Sequence, residues 1–164
     1  MGSRDNYTFA NQASIPAPLD KQLPAFFRSW DDPHSNNDYL NLFAPEGQLV
    51  FGSTTTGREA IRAFRDAMIH PSNGPVVDLE HTLDKCFVLA GGNPEGGTGK
   101  QEVIVNGSLW YKLRNGRRID VDFASLIKFT DPGKGGDLEA EFYEVYLDAH
   151  ELMTAIKEMN EEGK

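Results

Sequence analysis

The spacing of hydrophobic and polar positions changes near residue 76 and again near residue 149. Before the first of these points it is helical. Leu19, Leu23, Phe26, Phe27 and Trp30 recur every three or four residues, which predicts an amphipathic helix over LDKQLPAFFRSW. Pro24 lies inside it and removes one backbone hydrogen bond. A second, short helix fits NNDYLNLF and is closed by Ala44-Pro45; QLVFG reads as a short strand. In TTTGREAIRAFRDAMIH, residues Ala60, Ile61, Phe64, Ala67 and Met68 form one face. Thr55 or Thr56 is placed to cap that helix and Pro71 to stop it.

Beyond residue 76 the segments 76–90, 102–113, 118–130 and 138–148 are rich in Val, Ile, Phe, Tyr and Leu and are separated by turns, so they read as strands. Asn115-Gly116 is the strongest hairpin signal, and DPGKGG over 131–136 marks another turn. The tail AHELMTAIKEMNEE returns to helical spacing, with Leu152, Met153 and Ile156 on one side. Helices first and consecutive strands after them predict an α+β fold with an antiparallel sheet rather than a doubly wound one. GGNPEGGTGK ends in Gly-Lys but is not a phosphate loop. Pro94 stands where the first glycine belongs, Gln101 follows Lys100, and a strand follows instead of a helix.

Composition narrows the function. With 164 residues the chain is one domain, expected to span 17–162 after a flexible N-terminal segment over 1–16. No run approaches the roughly 20 apolar residues of a membrane span, and MGSRDNYTFANQ has no secretory signal pattern. The net charge of −9 argues against nucleic acid, whose phosphates need cationic contacts. The basic run Arg114 to Arg118 reads as a solvated hairpin tip. A single cysteine, Cys86, allows no internal disulfide and suits a reducing, cytoplasmic setting; lying in a strand, it is expected to be a buried structural thiol.

The candidate chemistry centres on LEHTLDKCF. Leu79, His81 and Leu83 alternate onto one strand face, and an imidazole on an apolar face is either a satisfied core residue or a proton carrier. As a base it needs a partner that fixes its tautomer. His34 and His150 are expected at the surface. Together with His70 and His81 they lie on separate elements, so no metal site is expected. On the third long strand Ile119, Val121, Phe123, Ser125 and Ile127 make the apolar face, with Asp120 and Asp122 opposite. On the second, Asn106, Ser108 and Trp110 alternate with Val105, Gly107, Leu109 and Tyr111, and either set can face inward. Tyr143 or Tyr146 can donate a hydrogen bond to a developing oxyanion. Asp31, Asp32, Ser35, Asn36 and Asn37 are all possible helix caps. Arg28 either faces the helix dipole at the end of its helix or turns inward to pair with Asp32, four residues on.

LNLFAPEGQLVFGSTTTGREAIRAF, the strand carrying His81 and the closing FYEVYLD together resemble the nuclear transport factor 2-like superfamily, in its SnoaL-like and scytalone dehydratase-like branch. The resemblance implies a curved antiparallel sheet wrapped around N-terminal helices, a cone with an internal cavity for a small apolar molecule, and a homodimer packed through the sheet. It implies a cofactor-free acid-base enzyme of isomerase, cyclase, dehydratase or epoxide-opening type, at home in secondary-metabolite biosynthesis. The alternative within the same fold is a non-catalytic module that binds a small molecule or a protein. The aspartate and histidine of a scytalone dehydratase-like dyad match Asp32 and His81, with Asp31 the neighbouring alternative. Tyr143 would assist them, and Trp110, Asn106, Phe27, Arg28 and Phe123 would contact the substrate.

Overall fold

The computed structural model describes residues 6–89 and 100–164. GGNPEGGTGK lies outside the described residues up to its final lysine. Helix α1 (Leu19–Asp31) leads through a 3-10 turn (Asp38–Leu42) into β1 (Phe43–Phe51), β2 (Ser53–Thr56) and α2 (Arg58–Met68). Then come β3 (Val76–Val88), β4 (Lys100–Leu113), β5 (Arg118–Thr130), β6 (Glu139–Leu147) and α3 (His150–Glu162). The strands form one curved, unclosed sheet in the order β2-β1-β6-β5-β4-β3, an α+β fold as expected.

Two details depart from the expected pattern. The sheet is mixed: β1 pairs with β6 in parallel, all other pairs being antiparallel. Parallel neighbours need a long crossover, and here β2 through β5 supply it. Thr54, Thr55 and Thr56 are not caps for α2, because β2 pairs them with Val50, Leu49 and Gln48 of β1. The N-cap is Gly57, whose φ of 90° is open to glycine and strained for other residues. Arg58 follows and gives two hydrogen bonds to the Phe43 carbonyl, at 2.8 and 2.6 Å, tying α2 to the start of β1.

Helix α1 lays Leu19, Leu23, Phe26 and Phe27 on the sheet. Pro24 is tolerated within it for a specific reason. The carbonyl it leaves without a donor is that of Asp20, four residues back, and Gln12 Nε2 donates to that oxygen at 2.6 Å. On β5 the inward set is the expected odd one, with Asp120 and Asp122 outward. On β4 the inward set is Val103, Val105, Leu109, Tyr111 and Leu113. Gly107 shares that strand because a methyl group there would run into the Thr82 carbonyl of β3.

The segment expected to be flexible over 1–16 packs into the core over its described part, 6–16. Tyr7, Phe9 and Ile15 are buried. The segment is fastened to the outer edge of β3: Ala10 N–H donates to the Asp84 carbonyl at 2.6 Å, and the Asn11 side chain bonds both the carbonyl and the N–H of Cys86. Those backbone groups are available because a bulge between Leu83 and Cys86 interrupts the β3–β4 ladder. Cys86 is itself buried, and burial pushes its thiol up to about 11. Among the described residues no helix is long and apolar enough to cross a membrane.

Candidate active site

His81 sits on the inward face of β3, its ring between Phe27 of α1 and Phe123 of β5, each 4.9 Å away centroid to centroid. Its partner is Asp31, the last residue of α1. Asp31 Oδ1 lies 2.6 Å from His81 Nδ1. Oδ2 accepts the His81 backbone N–H at 2.7 Å and the Tyr7 hydroxyl at 2.8 Å. The carboxylate is fully buried, while the His81 side chain keeps 11% exposure. In the neutral ring the carboxylate on Nδ1 holds the proton there, which makes Nε2 the lone-pair nitrogen. Among the described residues no hydrogen bond engages Nε2.

An acid at the C-terminal end of a helix faces the negative end of the dipole, so Asp31 does nothing for α1 there. Arg65 of α2 offsets this. It is buried, and its Nη2 donates to the carbonyls of Trp30 and Asp32 at 2.7 Å each, closing the end of α1 on either side of Asp31. The guanidinium lies over the Tyr39 ring at 5.1 Å. Burial pulls its pKa below the usual value, opposed by Tyr39, Asp66, Asp31 and Asp32.

The pair opens on a cavity of about 50 Å³ between α1, α2 and the sheet. His81, Tyr111, Ser125 and Tyr143 supply its polar atoms, while Trp30, Phe51, Phe64, Met68 and Val145 form an apolar, half-exposed rim. Tyr111, Ser125 and Tyr143 are all buried. Burial drives both phenols well above their ordinary range, so they stay protonated donors; for Tyr143 the neighbouring Ser125 hydroxyl opposes the rise. Ser125 Oγ nonetheless has no hydrogen-bond partner of good geometry among the described residues. A volume of 50 Å³ admits a few waters, and a larger guest requires the rim side chains to move. A wider groove of about 730 Å³ runs along α1 and the 3-10 turn, past Arg28, Asp32, His34 and Asp38. Its lining is mostly exposed and polar and does not include His81.

The structure brings together His81, Tyr143, Phe27 and Phe123 of the residues singled out in the sequence. It does not bring Asp32 to them. Asp32 Oδ1 accepts the His34 N–H at 2.9 Å in a local turn, and the residue is exposed. The helix ends one residue earlier than that assignment requires, so Asp31 points inward. Trp110 and Asn106 fall on the outer face. Trp110 lies under the Arg118 guanidinium at 5.0 Å, and Asn106 Oδ1 accepts the Lys85 N–H across the bulge. Arg28 is exposed, 5.6 Å above the Tyr7 ring, and makes no ion pair with Asp32. Tyr146 points outward and donates to Glu144. Tyr7, Arg65 and Tyr111 were not singled out. Arg65 does carry a signal: it stands on the stripe between Ile61 and Met68, where a charge is out of place.

No protein-family model matches the chain, and no curated protein matches it in sequence. Solved structures do match in shape. A hexachlorocyclohexane dehydrochlorinase, LinA-type3 from Novosphingobium barchaimii, superposes with a TM-score of 0.65 at 9% identity, over 79% of this chain and 84% of that one. An NTF2-like protein of unknown function from Exiguobacterium sp. gives 0.54 at 17% identity, over 77% and 98%. This chain has the NTF2-like fold. The yeast UBP3-associated protein BRE5 gives 0.56 at 16% identity, over 77% and 90%. The neighbours in shape thus include a protein named as a dehydrochlorinase and one named for its association with another protein.

Proposed function

We propose that this NTF2-like chain is a cofactor-free enzyme that moves a proton on a small, largely apolar molecule. His81 Nε2 is the general base, Asp31 holds its tautomer, and Tyr143, with Tyr111 and Ser125, donates hydrogen bonds to an oxygen on which negative charge develops. The observation that carries this reading is a buried carboxylate paired to a histidine that lines a cavity with three buried hydroxyls and an apolar rim. A positioned base is worth about 10²–10⁴-fold and needs a fixed orientation, which Phe27 and Phe123 give by flanking the imidazole ring. Elimination, isomerisation and cyclisation all begin with such a proton transfer, and the dehydrochlorinase neighbour fits that class. The test is conversion of components of an apolar metabolite extract, followed by mass spectrometry, by wild type and by His81→Ala. A product made by the wild type and lost in the variant supports the reading; equal conversion by both removes His81 from the chemistry.

One observation favours a second reading. The cavity is small, about 50 Å³, whereas ligand pockets commonly run to several hundred. A module that docks a partner protein needs no interior, and the BRE5 neighbour points the same way. Soaking with small ketones and aromatic alcohols, read out as shifts of the Tyr111 and Tyr143 ring resonances, separates the two. A homodimer belongs to either version, since exposed Phe87, Ile104 and Tyr146 stand on the outer face of the sheet; light scattering of the eluting protein tests it.

A further inference from the structure

We propose that Tyr7 is a positioning residue for the Asp31–His81 pair, held over it by the segment that precedes α1. This rests on the reading of His81 as the base. Among the described residues the carboxylate of Asp31 is held from two places. One is β3, where the ring and backbone nitrogens of His81 take one oxygen each. The other is the N-terminal segment, from which the Tyr7 hydroxyl reaches Oδ2 at 2.8 Å. Two donors on Oδ2 commit that oxygen and leave Oδ1 for the Nδ1 proton, which keeps Nε2 free for chemistry.

The segment is built to deliver that hydroxyl. Phe9 is buried two residues on, and Ala10 and Asn11 lock onto Asp84 and Cys86 of β3, a few residues along from His81. The Tyr7 ring is buried, with Arg28 above it at 5.6 Å. Phenylalanine would fill that space equally well. The hydroxyl is therefore what the site gains from tyrosine, and a buried phenol needs an acceptor such as this carboxylate. The other charged or titratable groups around the pair come from different elements: Arg65 from α2, Tyr111 from β4 and Tyr143 from β6. Among the described residues none of these three donates a hydrogen bond to Asp31.

The experiment is Tyr7→Phe in the full chain, with nitrogen-15 and proton NMR of the His81 ring assigned by comparison with His81→Gln. The wild type is expected to show one protonated nitrogen, Nδ1, with a downfield and exchange-protected proton. In Tyr7→Phe that proton is expected to exchange at least about tenfold faster, with a melting point only a few degrees lower. A purely packing role would leave the Nδ1 proton untouched, and an unchanged exchange rate overturns the inference. Asp31→Asn separates this failure from failure of the underlying reading. If Asp31→Asn abolishes the Nδ1 proton signal and Tyr7→Phe leaves it alone, only the role of Tyr7 falls. If neither variant alters it, the aspartate–histidine pair itself is refuted.

Discussion

Replacing Asp31 by asparagine keeps the shape of the side chain and removes its charge, and the structure dictates what the amide then does. The oxygen at the Oδ2 position faces a backbone N–H, which can only donate, and shares it with the Tyr7 hydroxyl. The atom at the Oδ1 position faces His81 Nδ1, which can shed its proton to Nε2. The amide therefore puts its oxygen toward the two fixed donors and its NH₂ toward Nδ1. His81 is forced into the other tautomer and presents Nε2–H, a donor, to the cavity. For stability, charge-assisted hydrogen bonds worth about 1.5–3 kcal/mol each become neutral ones worth about 0.5–1.5. Against that, a fully buried carboxylate no longer has to be desolvated, a gain of several kcal/mol. The two nearly cancel, so the expected change is within about 2 kcal/mol. Activity through a base at Nε2 is expected to fall by about 10²–10⁴-fold. The assay pairs urea unfolding with nitrogen-15 shifts of the His81 ring. An Asp31→Asn protein that folds normally and still protonates Nδ1 would refute this account of the pair.

Three other outcomes follow from packing. Arg65→Met removes the donor to the Trp30 and Asp32 carbonyls and is expected to cost about 2–4 kcal/mol, read as a melting point roughly 5–15 °C lower; an unchanged melting point would show that the end of α1 does not need it. Gly107→Ala drives a methyl group into the Thr82 carbonyl, so a loss of about 3 kcal/mol or more is expected in the same urea titration, and a neutral result would mean that β3 and β4 can part there. Cys86, with its thiol raised to about 11, is only about 0.1% thiolate at pH 8, against about a quarter for a free cysteine. Iodoacetamide labelling of the native protein at pH 8 should therefore run more than about 100-fold slower than in urea; rates within tenfold would mean that the thiol is not buried as described.

What could be read from the sequence was what depends on local period. Leu19 to Trp30 and the run of strands after residue 76 announce themselves by spacing, and His81 stands out because its neighbours alternate. The rest depends on partners far away in the chain. The parallel β1–β6 pair joins residues nearly a hundred positions apart, and the threonines of β2 have no strand signal without β1 beside them. Whether Asp31 or Asp32 reaches His81 turns on where α1 stops to within one residue. Arg65, 33 positions beyond Asp32, helps close that end of the helix. Trp110 and Asn106 could not be assigned a face because β4 carries aromatic and polar side chains on both; its register is set by pairing with β5 and by the bulge in β3. Tyr7 is 24 residues from Asp31 and is delivered by Asn11 bonding to a strand 75 residues on.

The helix dipole gives no reason for Asp31 to be there. It lies at the unfavourable end of the α1 dipole, it is fully buried, and a buried ion pair can generally be replaced by well-packed apolar side chains at no cost or with a gain of about 1–4 kcal/mol. The acceptor that Tyr7 and the His81 N–H require could be a neutral amide. A carboxylate does one thing an amide cannot: it holds the Nδ1 proton of an imidazole while leaving Nε2 unprotonated and stabilises the imidazolium once Nε2 has taken a proton. The arrangement around it points the same way. Arg65 closes the backbone on both sides of Asp31 through the Trp30 and Asp32 carbonyls, which sets where the carboxylate meets the histidine. A buried carboxylate held against His81 at a cavity wall is what the proposed acid-base chemistry requires.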